Sequence, residues 1–301
     1  MATKMANRFR RSLSFPNNHS HSSSKTLHNR STSLPCRSHP TVSQLGAGIA
    51  HLHSWIASRT ASSDSWLCDG LKRLNSVHDS LVDLLQLPRT RDLLRRGEFS
   101  AFVELLLDDF LGLVDVYGRF QTLVLSLKDE CSAAEMAVRR RDGLETESRL
   151  KNLNRLGVQI GKLGSDLRCR VGEFSLPTPH DDEGSELFET IDDVLQVTSL
   201  VSVSLFGGIS ASFAIRKRSY MGLMRLGRWT KNSKIQVGIR KIEEIDLENL
   251  WVLSKKVEEA RTVSKKLHEL EGCFVEMEGC GERAFRSFIK TRVSLLNLLT
   301  L

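Results

Sequence analysis

Proline is confined to places where it cannot interrupt most of this chain. The six prolines are Pro16, Pro35, Pro40, Pro88, Pro177 and Pro179. A proline lacks the backbone donor that a helix needs, and its ring clashes with the preceding turn. Residues 89–176 and 180–301 are therefore open to long, uninterrupted helices. The apolar residues fill those stretches at helical spacing. Leu45, Ile49, Leu52 and Ile56 recur at steps of three and four, with Trp55 beside them. Trp66, Leu67, Leu71, Leu74, Val77, Leu81, Leu84 and Leu85 form a second run that ends before Pro88. Phe99 to Leu127 is dense in Leu, Val and Phe, which predicts a helix central to the core. The charged stretch Arg139-Arg140-Arg141-Asp142 separates it from a helix over residues 144–172, and Glu186 opens another.

The last segment has the most regular spacing. Val263, Leu267, Leu270, Phe274, Met277, Gly281, Ala284, Phe288, Thr291, Leu295 and Leu298 alternate steps of four and three. This is the signature of a coiled-coil-like seam. Leu250, Leu253, Val257 and Ala260 run in the same rhythm until a three-residue step at 260–263 disturbs it, as a stammer does. Gly279 and Gly281 weaken the helix and predict a bend, or a loop between two helices. The seam is either an internal core stripe or a dimer interface. Short connections favour packing within one chain, so a monomer is expected.

Together these elements predict an all-α fold: an elongated antiparallel helical bundle over residues 41–301, of about six to eight helices. Pro177, Pro179 and the acidic run at 181–184 mark a surface loop, and residues 173–185 are the candidate boundary within the bundle. Residues 1–40 are a different material. They hold nine serines, four histidines and seven Lys or Arg with no acid, and too few large apolar residues to offset the cost of ordering. A disordered basic tail is expected there. Removing its seven bases from the total of 43 leaves 36, against 36 acids, so the body carries no net charge. A neutral body argues against nucleic acid as a partner.

Two short motifs stand out in the tail. Arg11-Ser12-Leu13-Ser14-Phe15-Pro16 and Arg30-Ser31-Thr32-Ser33-Leu34-Pro35 both read R-S-x-S-x-P. Basophilic kinases mark such sequences, and 14-3-3-type receptors clamp the phosphorylated serine through arginine forks. The candidate phosphorylation sites are Ser14 and Ser33, with Arg11, Pro16, Arg30 and Pro35 as motif residues. An acid-free, Arg- and Ser-rich start also has the composition of an organellar transit peptide. The six cysteines show no C-x-x-C and no scaffold spacing, so free thiols in a reducing, cytoplasmic setting are expected.

Residues 194–215 contain no charge over 22 positions and are followed by Arg216-Lys217-Arg218. That length spans a bilayer, yet nine of the 22 are Ser, Thr, Gln or Gly. A helix buried in protein is the favoured reading, with a membrane span or a peripheral contact as the alternative.

Other patterns carry no chemistry. His51 and His53 lie two apart and face different sides of a helix, so they make no ligand pair. Cys273 and Cys280 lie two turns apart, too far for a disulfide. Gly157 to Leu163 lacks one spacer residue and the Ser or Thr of a phosphate-binding loop. Its glycines, with Gly164, read instead as sites of close helix approach. Asp108-Asp109 and Asp192-Asp193 are neighbours that point apart, unsuited to acid–base work. Arg89, Arg91, Arg95 and Arg96 read as a solvated face. No catalytic, metal or cofactor residue is expected.

Four stretches taken in order resemble one family of plant proteins. They are RSTSLPCRSHP at Arg30–Pro40, LVDLLQLP at Leu81–Pro88, LLDDFLGLVDVYGRF at Leu106–Phe120 and FRSFIKTRVSLLNLL at Phe285–Leu299. Together they resemble the helical proteins grouped under the Bypass name. The resemblance implies a land-plant origin and a link to root and shoot development. It carries over no catalytic residues, because the family has no established reaction. The function expected is that of a non-enzymatic interaction or regulatory protein with a phospho-switchable tail.

Overall fold

The computed structural model describes residues 40–58, 66–171, 184–213 and 257–300. Among these residues there are helices and turns and no strand. The helices are α1 (Pro40–Ala57), α2 (Trp66–Gln86), α3 (Pro88–Leu94), α4 (Ser100–Arg140), α5 (Gly143–Val171), α6 (Ser185–Phe213) and α7 (Val257–Thr300), with a 3-10 turn at Gly97–Phe99. They belong to one compact unit, Ser33–Leu301. Residues 1–39, which hold almost all of the basic tail, lie outside the described residues, as do 172–183 and 214–256.

Local chemistry sets the helix ends. Leu87 is extended before Pro88, as the residue ahead of a proline prefers, and Pro88 opens α3 where its missing donor costs nothing. Arg141 closes α4 in the left-handed conformation, at φ 56°. The Asp142 amide then donates back to Ala137 O at 3.0 Å, the long bond of a Schellman cap. Asp142 also starts α5: its Oδ1 accepts from the Glu145 amide at 3.0 Å. The charged stretch read from the sequence is thus a tight α-α corner.

Chain neighbours pack antiparallel. In the α4–α5 hairpin, Arg149 reaches Glu130 and Arg119 reaches Asp166. α4 also lies antiparallel along α7: the Arg292 Nε donates to Leu107 O at 3.4 Å near one end, and the Cys131 thiol to Leu267 O at 3.3 Å towards the other. α2 and α7 run parallel, since Lys72 pairs with Glu276 and Asp79 with Lys290. They are remote in sequence, so no short turn dictates their direction. α1 folds back on α2 through stacked indoles, Trp55 on Trp66 with centroids 4.0 Å apart. One continuous apolar core draws on all seven helices, including α5 and α6.

The pairing of α5 with α6 depends on missing side chains. A Cβ on Gly157 would sit 2.2 Å from Phe213, and one on Gly161 would sit 2.4 Å from Ser210 Oγ. The bulk removed from α5 is occupied by α6, which lets the two backbones approach closely. Residues 194–213 of the uncharged run form most of α6. The helix buries Val194, Val197, Thr198, Val201, Ser202, Leu205 and Ile209 in the core, and 61% of its most apolar window is inside the protein. By length and hydropathy alone, 1.6 on average over that window, it would also cross a membrane.

One alternative is overturned. Gly279 and Gly281 do not mark a loop between two helices, because α7 is a single helix of 44 residues from Val257 to Thr300. Gly281 instead gives room to α4: a Cβ there would meet Gln121 Nε2 at 2.4 Å and Phe120 at 3.0 Å. The helical cost of glycine, about 1 kcal/mol, is offset by that contact.

Candidate functional site

Ser14, Ser33, Arg11, Pro16, Arg30 and Pro35 all lie outside the described residues, as do Arg216, Lys217 and Arg218. Val263, Leu267, Leu270, Phe274, Met277, Phe288, Leu295 and Leu298 are buried in the core. The helix that carries them packs against α4 and α2. His51 and His53 are both exposed. Cys273 is half-buried, Cys280 is buried, and both are free thiols.

The core holds a polar arrangement that no sequence pattern announced. His78 of α2 is fully buried, and its Nε2 lies 2.9 Å from Thr198 Oγ1 of α6. Thr198 spends its own hydroxyl proton on Val194 O, at 2.6 Å. It must therefore accept from His78, which fixes the imidazole as the Nε2–H tautomer and leaves Nδ1 a bare acceptor. The same logic orients the next pair. Ser202 donates to Thr198 O at 2.7 Å, so Tyr117 of α4 is the donor in its 2.8 Å bond to Ser202. The imidazole is held between aromatic edges, with Phe288 4.6 Å and Phe110 5.8 Å away between centroids.

Burial decides the charge of these groups. It pushes His78 down to about 3, so the ring stays neutral across the physiological range. It pushes the Tyr117 phenol well above its usual value, against the opposing pull of the Ser202 hydrogen bond. Side chains so enclosed have no path to a substrate. Their chemistry is to fix the register of α2, α4 and α6 about one point.

A second cluster lies where α4 meets α7. Glu135 projects from α4, and His268 and Glu271 lie one turn apart on α7. His268 Nδ1 is 3.6 Å from Glu135 Oε2 and 3.8 Å from Glu271 Oε2. The other oxygen of Glu135 accepts from Arg139 and from the Ser264 hydroxyl. Nearby, burial first and then the Glu271 and Glu135 carboxylates push the Cys131 thiol up to about 12. Sequence reasoning missed this set. His268 and Glu271 are three apart, a spacing that shares a helix face, but Glu135 enters only through the fold.

Between α1 and α6 there is a cavity of about 240 Å³. Val42, Gly46 and Ile49 form its apolar wall, and Glu186, Glu189 and Asp193 its acidic one.

In comparison with known proteins, the family described as Protein BPS1 matches residues 70–298, more than half of the chain. The match takes in Leu81–Pro88, Leu106–Phe120 and all but the last residue of Phe285–Leu299, and Arg30–Pro40 lies outside it. No curated protein and no solved structure matches the chain.

Proposed function

The chain belongs to the BPS1 family, and on that premise we propose that it is a non-enzymatic interaction protein in the control of plant root and shoot development. Membership points to a plant developmental regulator. The observation that carries the finer reading is the twin R-S-x-S-x-P motif, placed in an acid-free leader ahead of a charge-balanced body. Phosphate on Ser14 and Ser33 would add nearly two negative charges at each site, beside the arginines of the same motif. The partners in this reading are a basophilic kinase and a 14-3-3-type receptor. Ser14 and Ser33 are 19 residues apart, a typical span of roughly 25 Å for a flexible chain, which suits the two grooves of a dimeric receptor. The helical body supports a scaffold role, because the buried polar groups His78 and Tyr117 bond within the core.

The test is retention of the receptor by a peptide of residues 8–40 phosphorylated at both serines. Retention by the doubly phosphorylated form, and not by the unmodified one, is expected; equal or absent retention overturns the switch. In plant tissue, proximity labelling with the full chain should lose receptor peptides in the Ser14→Ala/Ser33→Ala variant.

A further inference from the structure

We propose that Glu135, His268 and Glu271 form a binding site for a divalent transition metal ion, Zn²⁺ in type, which ties α4 to α7. The spacing of the donor atoms fits. Tetrahedral Zn²⁺ with bonds of about 2.1 Å holds its ligand atoms about 3.4 Å apart. Here the imidazole nitrogen stands 3.6 and 3.8 Å from the two carboxylate oxygens, and all three donors lie within 4.8 Å of one another. Small side-chain rotations close the set around one ion.

The state of the donors is an independent observation. The Glu135 side chain is only 9% exposed. Its Oε1 is engaged by Arg139 and Ser264, whereas Oε2 accepts no hydrogen bond and is turned towards the imidazole beyond hydrogen-bonding reach. A cation at the centre of the three groups would draw that oxygen and the imidazole nitrogen to one point. One turn from the site the Cys131 thiol bonds Leu267 O, a further contact that sets the register of the two helices. The side chain of His268 is 74% exposed, so an ion enters directly from solvent.

The ligand set selects the class of metal. One imidazole with two carboxylates is a borderline set of the kind Zn²⁺ and Co²⁺ take, with a fourth position left to water. Ca²⁺ requires six to eight oxygens, which this cluster does not supply.

The experiment uses the full chain, stripped with EDTA and titrated with Zn²⁺ by calorimetry and with Co²⁺ by visible absorption. One tight equivalent is expected, with ligand-field bands and without a thiolate charge-transfer band, together with a rise in Tm on adding Zn²⁺. His268→Ala and Glu271→Gln should each weaken binding about tenfold or more, and remove the rise in Tm. His268 is exposed, so its variant folds whether or not the site exists, and circular dichroism checks this. Unchanged affinity in both variants, a thiolate band, or no stoichiometric binding overturns the proposal.

Discussion

Helices α6 and α7 feed the same core and are built on different plans. Among the described residues α7 packs chiefly against α4 and α2, and meets α6 where Phe274 stacks with Phe213. Its buried residues follow one narrow line, from Ala260 through Leu267, Phe274, Met277 and Phe288 to Leu298, and charge lies on either side. α6 packs against α1, α2 and α5, and touches α4 through Tyr117–Ser202 and Phe120–Phe206. Enclosed on so many sides, it has little room for charge, and its hydroxyls bond to the carbonyl one turn back, as Thr198, Ser202 and Ser212 do. A helix loses its amphipathic signature when neighbours surround it. Its composition then reads equally well as a protein interior or as a bilayer span.

The widest test of the contrast is to empty both helices at matched positions. Phe288 of α7 and Phe206 of α6 are each fully buried. Phe288→Ala and Phe206→Ala should each cost about 3–5 kcal/mol in urea unfolding. A loss below about 1 kcal/mol for Phe206→Ala would place α6 outside the core and revive the membrane span.

Acid probes the polar content that distinguishes α6. His78, bonded to Thr198, is held at about 3 when folded, against 6.5 when free. Between those values the unfolded chain binds one proton more than the folded one. Stability should therefore fall as pH drops below about 6.5, by roughly 1.4 kcal/mol per unit, until about pH 3. That is roughly 2 kcal/mol by pH 5. His78→Gln removes the titrating group, so its stability should lose this slope; an unchanged slope would mean that other groups carry it.

Much of the fold was legible because its signals are local. Proline placement and helical spacing gave the all-α class, and Pro88 and the Arg139–Asp142 stretch marked real helix ends. What stayed hidden is non-local. His78 meets Thr198 across 120 positions, and Tyr117 meets Ser202 across 85. No spacing rule connects such pairs, and none connects Glu135 to His268. Gly281 misled for a related reason: its helical cost is written in the sequence, but the face of Phe120 that it admits is supplied by α4.

Glycine separates the two helical environments by sign. A methyl at Gly157 of α5 would press on Phe213 of α6 at 2.2 Å, and at Gly161 on Ser210 Oγ at 2.4 Å. Overpacking of this kind costs about 1–3 kcal/mol, and the helical gain of alanine over glycine returns about 1 kcal/mol. Gly157→Ala should thus be net destabilising by about 1 kcal/mol, the difference between those two magnitudes. Gly272 of α7 is exposed, and a methyl there would meet nothing within 4 Å. Gly272→Ala keeps the helical gain unopposed, so it should stabilise the metal-free protein by up to about 1 kcal/mol. Opposite signs for one substitution, read from paired urea curves in EDTA, would place α5 and α6 in backbone contact and leave that side of α7 facing solvent. A stabilising shift for Gly157→Ala would mean that α5 and α6 do not approach as closely as the glycines allow.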